Sequence, residues 1–127
     1  MSPANFRRNQ PKHFLMSFEV RTTPRFERAA KALMKRHRSL KTDLQGLIAS
    51  LGENPMQGDE LTPGIRKIRM AITSKGRGKS GGARVITYTI LASENQGKVY
   101  LIDIYDKADY STVDLSVIQS TMAELDL

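Results

Sequence analysis

Residues 65–90 read IRKIRMAITSKGRGKSGGARVITYTI. Two β-like runs, 65–73 and 84–90, flank a glycine-rich loop that carries Lys75, Arg77 and Lys79. In the first run Ile68, Met70 and Ile72 share one face, and Lys67, Arg69 and Ala71 share the other, so two cations leave one face of one strand. In the second, Arg84, Ile86, Tyr88 and Ile90 alternate with Val85, Thr87 and Thr89. No acidic residue lies between Glu60 and Glu94, and the window holds seven cations: Arg66, Lys67, Arg69, Lys75, Arg77, Lys79 and Arg84. They equal the net charge of the chain, +7, so the remaining basic and acidic residues balance. A strand-and-loop surface of this kind attracts a polyanion, with a phosphate backbone the foremost candidate.

Working outward, residues 53–64 (ENPMQGDELTPG) read as a loop from their Asn-Pro and Pro-Gly signals. Before it, Leu40, Leu44, Leu47, Ile48 and Leu51 form a helical stripe ended by Gly52. An earlier helix starts at Thr23-Pro24 and lines up Phe26, Ala29, Ala30, Leu33 and His37. The short link near Ser39 makes the two helices an antiparallel hairpin. Arg28, Lys31, Lys35 and Arg36 lie mostly off the apolar face of the first helix. A solvated face is the ordinary account of such charges, and a second nucleic-acid contact is the alternative. Residues 14–22 alternate as a first strand, and residues 1–13 read as a flexible basic arm before a single domain, 14–127, with Met16 an alternative start. Downstream, Asn95-Gln96-Gly97 turns into a strand over 98–105, and Ser111 or Asp114 caps a last helix with Leu115, Ile118, Met122 and Leu125 in its stripe. The predicted order is β-α-α-β-β-β-α, an α+β fold with an antiparallel sheet, an N-terminal helical hairpin and a C-terminal helix.

The chain has 127 residues, 39% of them hydrophobic, which suits one folded domain with a modest core. It has no cysteine, so disulfides and thiolate metal sites are excluded. Neither a membrane-length apolar run nor a secretory signal is present, and the expected location is cytoplasmic. Neither histidine has a catalytic or metal-binding partner visible in the sequence.

The stretch GIRKIRMAITSKGRGKSGGARVITY and the later VYLIDIYDK together resemble the RelE/ParE superfamily of toxin–antitoxin systems. The match is closest to its RelE- and HigB-like members, whose blocks read "KIR…SKGKGKSGGARVI" and "IY-(D/G)-K". That resemblance implies a toxin that enters the ribosomal 30S A site and cuts messenger RNA, with no metal or other cofactor. The RNA's 2′-hydroxyl attacks the adjacent phosphate, leaving a 2′,3′-cyclic phosphate and a 5′-hydroxyl. It also implies a cognate antitoxin and a toxin–antitoxin hetero-oligomer, with no membrane partner.

Such chemistry needs a base, cations for the extra charge on the phosphorane, and an acid. Carried over by position, Lys67 and Arg69 match the cations of the family's strand, Arg84 the arginine opening the next strand, and Lys107 the basic residue after the last. Lys67 is then the base or positioning cation, Arg69 and Arg84 hold the scissile phosphate, and Lys107 is acid or charge stabiliser. A lysine base needs a depressed pKa. Arginine cannot be a base at neutral pH, which leaves Lys67 and Lys107. Arg66, Lys75, Arg77 and Lys79 are expected to grip phosphates, and Tyr105 to contact the nucleic acid. The chain departs from relatives that use a C-terminal tyrosine or histidine: Tyr105 and Tyr110 are near, neither aligns, and Tyr105 reads equally as a core-edge aromatic. Two other functions share these residues. One is a ParE-like gyrase inhibitor, although the strand cations are more than that group carries. The other is a non-enzymatic nucleic-acid-binding module.

Overall fold

Thr23 decides how the first strand gives way to the first helix. Its hydroxyl accepts from the Phe26 amide at 3.2 Å and donates to the Leu101 carbonyl at 3.0 Å. One buried side chain thus caps a helix and ties it to the central sheet. The computed structural model describes residues 17–109 and 114–125. Its elements are β1 (Ser17–Thr22), α1 (Pro24–Arg36), α2 (Leu40–Glu53), β2 (Asp59–Thr62), β3 (Ile65–Met70), β4 (Ala83–Leu91), β5 (Gln96–Asp106) and α3 (Leu115–Glu124). The expected order holds with one addition, β2. The N-terminal arm, the opening residues of the expected first strand, Ser111 and Tyr110 lie outside the described residues. Asp114 caps α3, accepting from the Ser116 amide at 2.9 Å.

The sheet runs β1-β5-β4-β3-β2. The meander β3-β4-β5 is antiparallel as expected, while β1 lies parallel to β5, with Val20 opposite Val99. Strand β2 sits in a stretch expected to be loop, because it is four residues long and largely exposed. Opposite charges face each other across it, Asp59 by Lys67 and Glu60 by Arg66, and of these the Arg66–Glu60 ion pair measures 3.6 Å. Pro63-Gly64 closes this hairpin, with Gly64 at a φ of 83° that suits glycine.

Two cores lie on opposite faces of the sheet. Phe26, Ala30 and Leu33 of α1 and Leu40, Leu44 and Leu51 of α2 pack with Ile68, Met70, Val85, Val99 and Leu101. On the other face Ile118 of α3 packs with Ile65, Ile86, Tyr100, Ile102 and Tyr105. A bulge separates the halves of the β4–β5 ladder: Thr87 faces Leu101, yet Ile86 faces Asp103, so Ile102 is the extra residue. The alternation reverses there. Ile104 and Asp106 therefore lie toward the helical hairpin, and Tyr105 lies toward α3.

Candidate functional site

Opposed residues on neighbouring strands project from the same face. Arg69 faces Arg84, and Arg84 faces Tyr105. One row across three strands thus holds two arginines and a tyrosine, and Lys67 lies on the same face in the next row, opposite Ile86. Like charges placed directly opposite cost stability, so this row is unfavourable for folding alone. Neither Lys67 nor Arg69 has an ion-pair partner among the described residues, and Arg69 is exposed. Lys107 follows β5 directly, and its amide donates to the Gly82 carbonyl at 2.9 Å. That bond holds Lys107 at the foot of β4, beside Gly82, which is itself two residues before Arg84.

Arg84 is only 5% exposed. Its guanidinium donates to the carbonyls of Lys79 (2.9 Å), Ala83 (3.1 Å) and Ser80 (3.2 Å). Carbonyl dipoles hold a cation without neutralising it, so Arg84 keeps its full positive charge beneath the loop. Gly76 and Gly78 supply the positive φ values, 70° and 63°, that fold the loop back over it. Arg77 and Lys79 remain exposed there. Beside Lys67 and Arg69, α2 and the outer edge of β3 border a groove of about 690 Å³. Lys79 lines it with Asp43, Ser50 and Asp59.

Three expected contacts are placed elsewhere. Arg66 is one residue out of phase with Lys67, so it points to the hairpin side with Ile68 and spends its charge on Glu60. The period-two pattern already carried that signal. Lys75 is not a loop cation open to phosphate: its ammonium lies 2.8 Å from Asp106 Oδ1. Tyr105 is 7% exposed, with its ring in the α3-side core, so it is a core-edge aromatic rather than a stacking platform. Burial pushes its hydroxyl pKa up, Arg84 partly opposes this, and Asp103 adds to it.

Asp106 was missed, since a lone aspartate at a strand end carries no pattern. It is 1% exposed, and burial alone would raise its pKa. Bonds from Lys75, the Ala108 amide and His37 Nε2 overcome that and hold it at about 2. Arg36 also reaches it at 3.4 Å. The carboxylate therefore fastens the end of α1 and the start of the glycine-rich loop to β5. Asp43 secures the same loop from α2, accepting from the Thr73 amide at 2.9 Å and the Ser39 hydroxyl at 2.8 Å. Among the described residues no three His, Cys, Asp or Glu side chains gather as a metal site. Nor is any described helix long and apolar enough to cross a membrane.

The sheet order, the helical hairpin and the closing helix together make a RelE-like fold. A solved structure of the Escherichia coli toxin RelE, a doubly substituted form in the free state, superimposes with a TM-score of 0.51. The match covers 88% of this chain and 100% of that one at 16% identity. No protein-family model matches the chain.

Proposed function

We propose that this chain is the toxin of a type II toxin–antitoxin pair, a ribosome-dependent endoribonuclease that cuts messenger RNA in the A site. The observation that carries the reading is the Arg69–Arg84 row with Lys67 beside it, none of the three in an ion pair among the described residues, on one face of a RelE-like sheet. Folding alone does not reward such a row, whereas binding a phosphate that gains charge does. Lys67 takes the proton of the 2′-hydroxyl as that oxygen bonds to phosphorus. Arg69 and Arg84 hold the phosphoryl oxygens while the bond to the 5′-oxygen breaks. Lys107 returns a proton to the leaving oxygen. The fragments end in a 2′,3′-cyclic phosphate and a 5′-hydroxyl, and no metal is required by these steps. In this reading the protein is cytoplasmic and its antitoxin covers the cation row in a hetero-oligomer.

The end chemistry of the fragments tests this reading. Messenger RNA recovered from a purified translation reaction should carry 2′,3′-cyclic phosphates at the new 3′ ends. Intact message combined with inhibition of gyrase supercoiling would replace the proposal with the gyrase-inhibitor reading.

A further inference from the structure

The groove beside Lys67 and Arg69 opens where β2 stops. Strand β2 pairs with β3 only as far as Asp59 opposite Lys67, and β3 runs on to Met70. Beyond that point the outer edge of β3 looks across the groove to α2, and Ile68, Arg69, Met70 and Ala71 line it. Gly46 leaves the α2 wall open, since no atom lies within 4 Å of the place its Cβ would take. At about 690 Å³ the space is the size of a small-ligand site.

Its polar groups fall into two sets. Lys67, Arg69 and Lys79 bring positive charge, and none of them is in an ion pair among the described residues. Asp43, Gln57 and Asp59 bring acceptors. Asp43 is already committed to the glycine-rich loop, accepting from the hydroxyls of Thr73 at 2.6 Å and Ser39 at 2.8 Å. Gln57 donates its amide nitrogen to Ser50 Oγ at 3.1 Å and to the Asn54 carbonyl at 2.8 Å. Those bonds fix the side chain and leave its Oε1 to accept. Asp59 is exposed and, being opposite Lys67, shares the face of the cation row. It makes no ion pair among the described residues.

A ligand of this groove must therefore carry an anion for the cations and hydrogen-bond donors for Gln57 and Asp59. Asp59 repels a second phosphate, and the three cations repel a basic peptide. A nucleotide whose base bears an exocyclic amino group meets both demands, with its phosphate on Arg69 and its amino group toward the acceptors. Uracil does not, because it places a carbonyl where cytosine carries the amino group. We infer that the groove between α2 and the outer edge of β3 is a base-reading subsite, in which Asp59 and Gln57 select an amino-bearing base beside the phosphate held by the cation row. The inference rests on the RNA-directed reading above and adds to it a source of sequence preference. Asp59 acts on which strand is held, and the bond-breaking step remains with the cations.

The test reads binding without cleavage. Short 2′-O-methyl RNA oligomers lack the attacking hydroxyl and stay intact on the protein. Two pairs differ at one central base, cytosine against uracil and adenine against hypoxanthine. Each is titrated by fluorescence anisotropy into the parent, Asp59→Asn and Gln57→Ala. The parent should hold the amino-bearing member of each pair about tenfold more tightly. Asparagine donates as well as accepts, so Asp59→Asn should bring each ratio within about twofold of unity, chiefly by tighter binding of the uracil and hypoxanthine oligomers. Gln57→Ala should lower the ratios about two- to threefold without that gain. A carboxylate that acted only through its charge would, on removal, tighten all four oligomers equally and leave the ratios unchanged. That result would overturn the inference, as would parent ratios near one or no binding of any oligomer by the folded parent. Asp59 is exposed, so the melting temperature of Asp59→Asn should stay close to the parent's. No message is cut in this assay, so a failed nuclease assay and a failed base-preference assay are separate results.

Discussion

Arg84 and Asp106 are the two buried charges on which the site depends, and they act in opposite senses. Arg84 donates to carbonyls rather than to a carboxylate, whereas Asp106 is matched by Lys75, Arg36 and His37. The pKa of Asp106 is lowered from 3.8 to about 2. A depressed carboxylate contributes stability that is complete above its unfolded pKa and lost as the pH falls through its folded one. The contribution, about 2 kcal/mol, should therefore disappear between about pH 4 and pH 2. Urea unfolding at stepped pH checks this. Asp106→Asn should be less stable by at least about 2 kcal/mol at pH 7 and should lack that acid-dependent component. Arg69 is exposed and makes no bond that the fold uses, so Arg69→Ala should fold normally and abolish growth arrest on expression. Arg84→Ala should also abolish it, but with some loss of stability, because three carbonyls lose their donor.

At the level of elements, the bulge in β5 and the close packing of Gly82 set the site. Had β5 continued in regular register past Leu101, with Ile102 opposite Ile86, Ile104 rather than Tyr105 would face Arg84, and Asp106 would point away from Lys75 and His37. A Cβ at Gly82 would overlap the Met70 carbonyl oxygen and crowd the Ala71 Cα, and the Gly82 carbonyl holds Lys107. Gly82→Ala should cost about 1–3 kcal/mol in denaturant unfolding, because backbone on both sides must move. Thr23→Ala should cost about 1–2 kcal/mol, with most of it restored by Thr23→Ser, since the hydroxyl both caps α1 and satisfies Leu101. The sequence made α1, α2 and the meander legible because their signals are local: a Thr-Pro start, helical stripes and period-two alternation. Strand β2 escaped because Leu61 alone of its four residues packs on a core, so no apolar alternation marks it. The bulge escaped because 98–105 is apolar throughout, so no alternation marked the point of reversal.

Over the whole molecule the cations divide into two populations, and only one is visible by counting. The seven in the 65–90 window match the net charge, which makes the remainder look neutral. That average hides α1, whose cations are offset by acidic residues distant in the chain. Local spacing placed Lys67 and Arg69 on one face correctly, and register brought Arg84 to them. Spacing could not foresee that Lys75 would be taken by Asp106, a contact across 31 positions. In the proposed reading this face cuts RNA on the ribosome. The measurement is primer extension on a reporter message in a purified translation system, with the protein and with Arg69→Ala, with and without ribosomes. The expected result is discrete cuts within A-site codons that vanish in Arg69→Ala and in the absence of ribosomes. Intact message with the folded parent protein, or equal cutting by Arg69→Ala, would contradict it.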